Sequence, residues 1–147
     1  MPVDQTLILL KPDTVQHNLI GDVLARFETN GFEIDRIRTV KPSTELLHQH
    51  YDEHVDEDYF PGLLEYMQED RVIACIMTRD NAVTKARSLI GDTEPASADE
   101  GTIRGDLGDD SYDRADAEDR GLRNLVHASE NVEAAEREIA LWFPDTV

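Results

Sequence analysis

A histidine at the end of an apolar run is the residue of this chain best placed to do chemistry. Leu125 and Val126 form a short strand-like run that ends on His127, and Ser129 can cap a following helix. Side chains of that helix return towards the strand end, where a carboxylate can reach the imidazole. This arrangement suits a histidine that acts as a nucleophile. A lone histidine at a strand end is more often a satisfied polar residue, so His127 needs support from the rest of the sequence.

Two glutamates of the last helix compete for the place beside His127. Glu136 and Glu138 lie on opposite sides of the helix's apolar stripe, and helix geometry alone does not choose between them. The stripe consists of Val132, Ala135, Ile139 and Trp142.

Length and composition predict a single domain that spans residues 1–147 and buries a substantial core. No apolar run approaches the ~20 residues of a membrane span, and the first residues show no signal-peptide pattern. Cys75, the only cysteine, lies in an apolar run and is expected to be buried; one cysteine excludes an intrachain disulfide. These features favour a cytoplasmic protein with no membrane partner.

The charge balance is extreme. The chain has 32 acidic and 14 basic residues, a net charge of −18, and its only lysines are Lys11, Lys41 and Lys85. Such a charge argues against binding nucleic acid, which requires a basic surface. The acids are spread along amphipathic segments, which indicates an ordered domain with an acidic surface. We interpret this as adaptation to a salt-rich cytoplasm, where ~1 M salt shortens the Debye length to about 3 Å; an acidic protein of ordinary habitat is the alternative.

Strands and helices alternate along the chain. Four apolar or alternating segments predict strands, at residues 5–10, 32–40, 71–78 and 125–127. Helical spacing predicts helices at 19–30, around 46–47, around 63–67, at 81–90 and after Ser129. This order is that of an α+β fold with a ferredoxin-like split βαβ antiparallel sheet and helices on its faces. Residues 91–121 break the rhythm and predict a long acidic loop, which in a compact domain is usually functional.

The residues around His127 resemble the active-site signature of the nucleoside diphosphate kinases. Residues 124–130 match N-x-x-H-[GA]-S-[DE], and residues 138–143 match a second block, E-I-x-L-W-F. Residues 9–13 and 50–51 are similar to the family's I-K-P-D and H-Y. Further matches are F-P-G-L at 60–63, R-x-x-x-G-x-T-x-P at 87–95 and T-I-R-G-D at 102–106. The resemblance covers nearly the whole chain.

The resemblance implies a phosphohistidine enzyme that transfers the γ-phosphoryl of a nucleoside triphosphate to a nucleoside diphosphate. His127 would be phosphorylated in a ping-pong reaction that accepts many bases and maintains nucleotide pools. Glu138 would hold the far nitrogen of the ring with help from Ser129, and the Tyr51 hydroxyl would lie near the nucleophile. The resemblance, and not helix geometry, therefore selects Glu138.

The remaining implied roles concern the nucleotide. Lys11 would contact the transferred phosphoryl and the sugar, and the phosphates would be contacted by Arg87, Thr93 and Arg104. By the same resemblance Asn124 would bind the ribose hydroxyls and Phe60 would stack on the base. The segment 107–121 is longer than in compact family members, so the residue covering the second face of the base stays open between Gly121 and Leu122.

Charge supports these phosphate contacts. A protein this acidic must concentrate its few cations wherever it holds phosphate, and Lys11, Arg87 and Arg104 each stand at an element end or in a loop. No P-loop and no kinase-type glycine-rich loop is present, so side chains must hold the phosphates. The alternatives are an ordinary surface lysine, arginines paired with nearby acids, and a Phe60 that belongs to the core.

The resemblance also implies partners and a cofactor. Mg²⁺ would arrive on the nucleotide phosphates, with no metal ligand from protein side chains. We expect a halophilic, archaeal-like member that forms a homo-oligomer; a hexamer is favoured over the tetramers of some bacterial members. His48, His50 and His54 are close in sequence, but no cysteine or fixed acid completes a metal site. Two other classes stay open: a phosphohistidine carrier or nucleotide-binding module without turnover, and a non-enzymatic acidic assembly protein.

Overall fold

A four-stranded antiparallel sheet forms the centre of the computed structural model, which describes residues 3–146. The strand order is β2-β3-β1-β4, and all three neighbouring pairs are antiparallel. The strands are β1 (Val3–Leu10), β2 (Glu33–Val40), β3 (Val72–Asp80) and β4 (Val126–Ala128). This is the ferredoxin-like α+β fold, and the predicted fold class is confirmed.

Eight α-helices of the described residues surround the sheet. They are α1 (Pro12–Gln16), α2 (Ile20–Thr29), α3 (Thr44–His50), α4 (Phe60–Met67), α5 (Ala82–Ile90), α6 (Ile103–Leu107), α7 (Tyr112–Ala117) and α8 (Val132–Trp142). Short 3₁₀ turns occupy Pro95–Ser97 and Pro144–Thr146. None of these helices has the length and apolar character that crossing a membrane requires.

The two central strands bury both of their faces. Alternate residues of β1 point to opposite sides, so Ile8 and Leu10 join one apolar cluster while Leu7 and Leu9 join another. The first cluster lies under α2 and α5, and the second lies under α3, α4 and α8. This two-sided burial explains why β1 and β3 read as continuous apolar runs.

The edge strand β2 is largely exposed. Most of its side chains are exposed, and Ile37 keeps 51% of its surface accessible. The pairing register with β3 shifts between Ile34 and Arg36, which interrupts a simple inside–outside alternation. The predicted strand is therefore present, with Phe32 buried just before it, Ile34 and Val40 partly buried, and Ile37 exposed.

The segment predicted as a long loop contains α6, α7 and a 3₁₀ turn. Thr102 and Ser111 begin the two helices, and their hydroxyls accept hydrogen bonds from Gly105 N (3.0 Å) and Arg114 N (3.1 Å). Helices of five and six residues show too little apolar periodicity to be recognised from sequence. Helix α1 also has only five residues and cannot be recognised from apolar periodicity, although Pro12 in its first turn favours a helix start.

A buried carboxylate fastens this segment to the domain. Asp110 accepts two hydrogen bonds from the Arg120 guanidinium, at 2.8 and 2.9 Å, and a third from Arg123 N at 2.8 Å. Burial alone would raise the pKa of Asp110, but these hydrogen bonds hold it below its usual value. The neighbouring Asp109 has 86% of its side chain exposed.

Replacing Asp110 by alanine should therefore destabilise the protein. Arg120 would be left partly buried without its acceptor, so we expect a loss of about 2–3 kcal/mol in the free energy of unfolding. The matched variant Asp109→Ala should change it by less than about 0.5 kcal/mol. Denaturant unfolding in molar salt measures both, and equal losses would contradict the role of Asp110.

Candidate active site

His127 lies in the middle of β4, opposite Leu9 of β1, and faces an open cleft of about 510 Å³. Its side chain is 17% exposed. The cleft is also lined by Tyr51, Arg87 and Thr93. One edge of the imidazole is therefore accessible while the rest of the ring is supported by protein.

A carboxylate and a hydroxyl fix the other edge of this ring. Glu138 Oε1 lies 2.8 Å from His127 Nε2 and accepts a second hydrogen bond from Ser129 Oγ at 2.7 Å. Burial lowers the pKa of His127, against the opposing effect of Glu138, so the ring is neutral at pH 7. For Glu138, burial would raise the pKa, but the bonds from His127 and Ser129 lower it and keep it ionised.

These contacts define the tautomer of His127. A neutral ring next to an ionised carboxylate carries its proton on Nε2, so Nδ1 keeps a free lone pair. No described residue makes a hydrogen bond to Nδ1.

The structure also distinguishes the two glutamates that helix geometry alone could not, because Glu136 is exposed and Glu138 is buried.

The backbone before His127 is held in an unusual conformation. Leu125 has φ +71°, a left-handed value that costs a non-glycine residue about 1–2 kcal/mol. Its N–H donates to Asp13 Oδ2 (3.1 Å), and its carbonyl accepts from Lys11 N (2.8 Å) and Thr14 Oγ1 (2.6 Å). Three hydrogen bonds from the end of β1 and from α1 therefore impose the turn that leads into β4.

Lys11 and Asn124 form a buried pair in front of this turn. Lys11 Nζ donates to Asn124 Oδ1 at 2.8 Å, and Asn124 Nδ2 donates to the carbonyl of Thr93 at 3.1 Å. Burial, together with the positive charges of Arg104 and Arg87, lowers the pKa of Lys11 to about 7. An anion bound next to Lys11 would therefore stabilise the protonated form of its amine.

The two arginines are fixed by carbonyl oxygens. Arg104 donates to the carbonyls of Asn124 (3.1 Å), Gly91 (3.1 Å) and Val126 (2.6 Å), and Arg87 donates to the carbonyl of Ala128 (3.1 Å). Burial and the nearby Arg87 lower the pKa of Arg104 to about 10, so it remains charged at pH 7.

The three predicted phosphate-binding cations share one further property. Lys11, Arg87 and Arg104 form no ion pair with any described carboxylate, whereas every other arginine of the chain does. In a chain with 32 acidic residues, this leaves three cations near His127 that no described carboxylate neutralises by direct contact, although Asp13 and Asp92 lie close enough to act on them. The cluster is suited to bind an anion with several negative charges.

Other predicted residues have different surroundings. The Tyr51 hydroxyl is buried without a hydrogen-bond partner, and burial followed by the charge of Glu138 raises its pKa. Thr93 is exposed at the cleft. Phe60 is only 4% exposed, packs edge-on against His48 at 5.1 Å between ring centroids, and does not line the cleft. The structure therefore gathers all the predicted site residues except Phe60 around His127.

His50 and Trp142 are not among the predicted site residues, yet their rings pack together beside His127, and His50 also lines the cleft. Within residues 3–146, three potential metal-ligating atoms, from His50, His127 and Glu138, lie within 4.8 Å of one another. However, Trp142 Nε1 donates to His50 Nδ1, which leaves the proton of a neutral His50 on Nε2 and no lone pair for a metal. His48 packs against the Phe60 ring and His54 contacts the Tyr59 hydroxyl, so within residues 3–146 neither side chain joins the group formed by His50, His127 and Glu138.

Comparisons with known proteins point to a single family. Residues 4–147 match the family model described as nucleoside diphosphate kinase. The chain is 40% identical to the nucleoside diphosphate kinase of Synechococcus elongatus over 141 residues, which cover 96% of this chain and 88% of that protein. Identity to nucleoside diphosphate kinase 1 of Arabidopsis thaliana is 41% over 143 residues, or 97% of this chain and 89% of that protein.

Solved structures give the same result. A nucleoside diphosphate kinase of Borrelia burgdorferi, described as a transition-state mimic with bound vanadate and ADP, superposes with a TM-score of 0.92 at 33% identity. The match covers 98% of this chain and 89% of that one. The enzyme of Pyrobaculum aerophilum gives 0.89 at 32% identity, over 97% of this chain and 96% of that one.

The chain belongs to the nucleoside diphosphate kinase family. Its family and relatives identify it as a phosphotransferase with nucleoside diphosphate kinase activity, so the function predicted from the motifs is confirmed. The two relatives named above are cyanobacterial and plant proteins.

Binding of Mg·ADP at pH 8 should take up a proton. With a pKa of about 7, Lys11 is mostly neutral at pH 8 in the free protein, and nearby phosphates should raise that pKa. Calorimetry in buffers of different ionisation enthalpy should detect an uptake approaching about one proton at pH 8 and little at pH 6. The Lys11→Arg variant, which stays charged, is the control; a binding heat that does not depend on the buffer at pH 8 would contradict the prediction.

Proposed function

We propose that this chain moves the γ-phosphoryl group between nucleotides through a phosphohistidine on His127. The observation that supports this most directly is the group of Lys11, Arg87 and Arg104, free of carboxylate partners, next to a neutral histidine. The Nδ1 atom has no hydrogen-bond partner among the described residues, so it is the nitrogen available for attack. Donor and acceptor nucleotides would occupy the same cleft in turn.

In the first step, the Nδ1 lone pair attacks the γ-phosphorus of the triphosphate in line with the leaving oxygen. The Nδ1–P bond forms as the bond from phosphorus to the β–γ bridging oxygen breaks, and the diphosphate leaves with that electron pair. The imidazole becomes positively charged, and the ionised Glu138 stabilises this charge through the Nε2 proton.

In the second step, a terminal β-phosphate oxygen of another diphosphate attacks the same phosphorus. The N–P bond breaks, its electron pair returns to Nδ1, and His127 is neutral again. No net proton transfer is needed. The protein therefore contributes positioning and charge stabilisation, which is the usual division of work in phosphoryl transfer.

The side chains around His127 have distinct tasks in this proposal. Lys11 and the two arginines Arg87 and Arg104 neutralise the phosphates, and Thr93 adds a hydroxyl contact. The unpartnered Tyr51 hydroxyl can donate to the phosphoryl group on the histidine. Asn124 serves the ribose hydroxyls. Mg²⁺ would enter as part of the nucleotide substrate and supply further charge neutralisation on the phosphates.

Base recognition is proposed to be broad. The cleft around His127 is lined mainly by polar and charged side chains, and a base held by stacking would be read only weakly. Stacking on Phe60 requires its ring to be uncovered from its packing against His48, because it is 4% exposed in this structure. Gly121 lies against the backbone at Gly62, close to the start of α4, and is therefore a candidate for the second face of the base.

Mixing the protein with Mg·ATP should produce an acid-labile, base-stable phosphoryl label on His127. The His127→Ala variant should lose the label and phosphate exchange, because among the described residues the neighbouring His50 uses its Nδ1 to accept from Trp142, whereas Nδ1 of His127 has no hydrogen-bond partner. His17→Ala, at an exposed histidine, should behave like the wild type. Label that persists in His127→Ala would assign the nucleophile to another residue.

The isolated phosphoprotein should then be discharged by ADP, GDP, CDP and UDP. Since stacking discriminates poorly, the four kcat/KM values should lie within about two orders of magnitude, roughly 3 kcal/mol in transition-state binding. Discharge by a single base would contradict the proposed breadth. A phosphohistidine carrier would accept label but fail to return it to any diphosphate.

We propose that this chain is a halophilic, archaeal-like member of the family and that its acidic surface is an adaptation to a salt-rich cytoplasm. There the protein would act as a homo-oligomer, with a hexamer as the favoured form. Assembly brings like-charged surfaces of a −18 chain together, so long-range repulsion opposes it at low salt. Salt screens exposed charges strongly, while the buried His127–Glu138 contact is screened much less. Added salt should therefore change subunit assembly and folding stability more strongly than it changes the rate of phosphoryl transfer.

Raising KCl from low to molar concentration should raise the melting temperature by roughly 10 °C, equivalent to about 2–4 kcal/mol for a domain of this size. Sedimentation should show hexamers in high salt and dissociation at low salt. Neutralising several acids between Leu107 and Gly121 should flatten this dependence only partly, since the charge is spread over the whole chain. A melting temperature that is flat or falls with salt, or only monomers in high salt, would contradict the proposal.

A further inference from the structure

One buried histidine next to the nucleophile has no part in the reaction proposed above. His50 is the last residue of α3 and is 4% exposed. Its ring meets the His127 ring edge to face, with 4.7 Å between centroids and 74° between planes. It also meets Tyr51 at 4.5 Å and 90°. His50 is therefore part of the wall against which the nucleophilic ring rests.

The hydrogen bond from Trp142 determines the proton position on His50. Trp142 Nε1 lies 3.0 Å from His50 Nδ1, and both groups are buried. An indole N–H can only donate, so Nδ1 must accept and carry no proton. Burial, and then the charges of His127, Lys11, Arg137 and His54, lower the pKa of His50 well below its ordinary value, so the ring is neutral. Its single proton is consequently on Nε2.

This fixed ring matters because Glu138 restrains His127 through one atom only. A hydrogen bond to Nε2 sets the distance at one edge of the imidazole but lets the ring turn about that bond. The edge-to-face contact with His50 opposes such a turn and so keeps Nδ1 directed into the cleft. A protonated His50 would place a second positive charge beside a ring that becomes positive during attack.

Helix α8 supplies both restraints. Glu138 and Trp142 are four residues apart and therefore lie on the same helix face. Glu138 contacts His127 directly, and Trp142 acts on it through His50. Trp142 is 2% exposed and belongs to the apolar cluster that includes Leu7 and Leu9 of β1. Its indole is thus held by the core on one side and donates to His50 on the other.

We propose that Trp142 and His50 form a positioning pair for the nucleophile, in which Trp142 fixes the tautomer and orientation of His50, and His50 fixes the ring plane of His127. This role rests on the phosphohistidine reaction proposed above. In this proposal His50 and Trp142 are positioning residues that act through the His127 ring.

Removing the His50 ring, which accepts the hydrogen bond from Trp142, should slow the phosphorylation of His127 without weakening nucleotide binding. Because small misplacements of a reacting atom are costly, His50→Leu should lower the single-turnover phosphorylation rate about 10- to 100-fold while the KM for ATP changes little. His50→Gln is the matched variant, since its amide oxygen can accept from Trp142, and it should recover much of the rate. Trp142→Phe should slow the wild type but should add little to His50→Leu, because both changes break one bond.

Nitrogen-15 NMR of the imidazoles tests the pair independently of catalysis. The wild-type His50 should show a pyridine-like Nδ1 and a pyrrole-like Nε2, and Trp142→Phe should show a mixture of tautomers. A pyrrole-like Nδ1 in the wild type would overturn the inference, even if the variants fold poorly. Wild-type phosphorylation rates in His50→Leu and Trp142→Phe would overturn the positioning role alone, whereas a wild type that takes no label would overturn the proposed reaction.

Discussion

An acidic chain can bind a polyanion only if a few of its cations are kept apart from its own carboxylates. The structure achieves this by giving those cations neutral oxygen partners. Lys11 donates to the amide oxygen of Asn124, while Arg104 and Arg87 donate to backbone carbonyls. A neutral acceptor fixes the direction of a charged group without cancelling its charge, which a carboxylate would do. The lowered pKa values of Lys11 and Arg104 reflect the unfavourable free energy of holding charge this way.

The same hydrogen bonds also build the backbone that presents the nucleophile. Arg104 holds the carbonyls on both sides of Leu125, and Asp13 holds the Leu125 N–H in its left-handed conformation. Asp13 can do this because its other oxygen accepts from the Tyr66 hydroxyl at 2.6 Å, so the buried carboxylate is satisfied. The phosphate-binding cations and the turn before His127 are therefore one hydrogen-bonded unit, and displacing either would disturb the other.

Much of this could be predicted from sequence, for identifiable reasons. The strands β1 and β3 are predictable because two-sided burial gives continuous apolar runs, and His127 is predictable because a distinctive motif surrounds it. The short helices α1, α6 and α7 could not be found, since a single turn has no apolar period and depends on capping contacts instead. Glu138 could be separated from Glu136 only by the family motif or by the packing of α8, and the burial of Phe60 against His48 depends on tertiary contacts that no local pattern records.

The precision of the site follows from where its parts are anchored. His127, the Lys11–Asn124 pair and the core residues Leu7 and Leu9 all involve β1, because β4 pairs with it and Lys11 directly follows its last residue. Helix α8 packs on the same strand and delivers Glu138 and Trp142 from one face. Apolar packing of the paired strands β1 and β4 and of the helices α3 and α8 therefore aligns the nucleophile, its carboxylate and the His50 ring. Because apolar burial is insensitive to charge screening, this alignment should hold over salt concentrations that alter the acidic surface strongly.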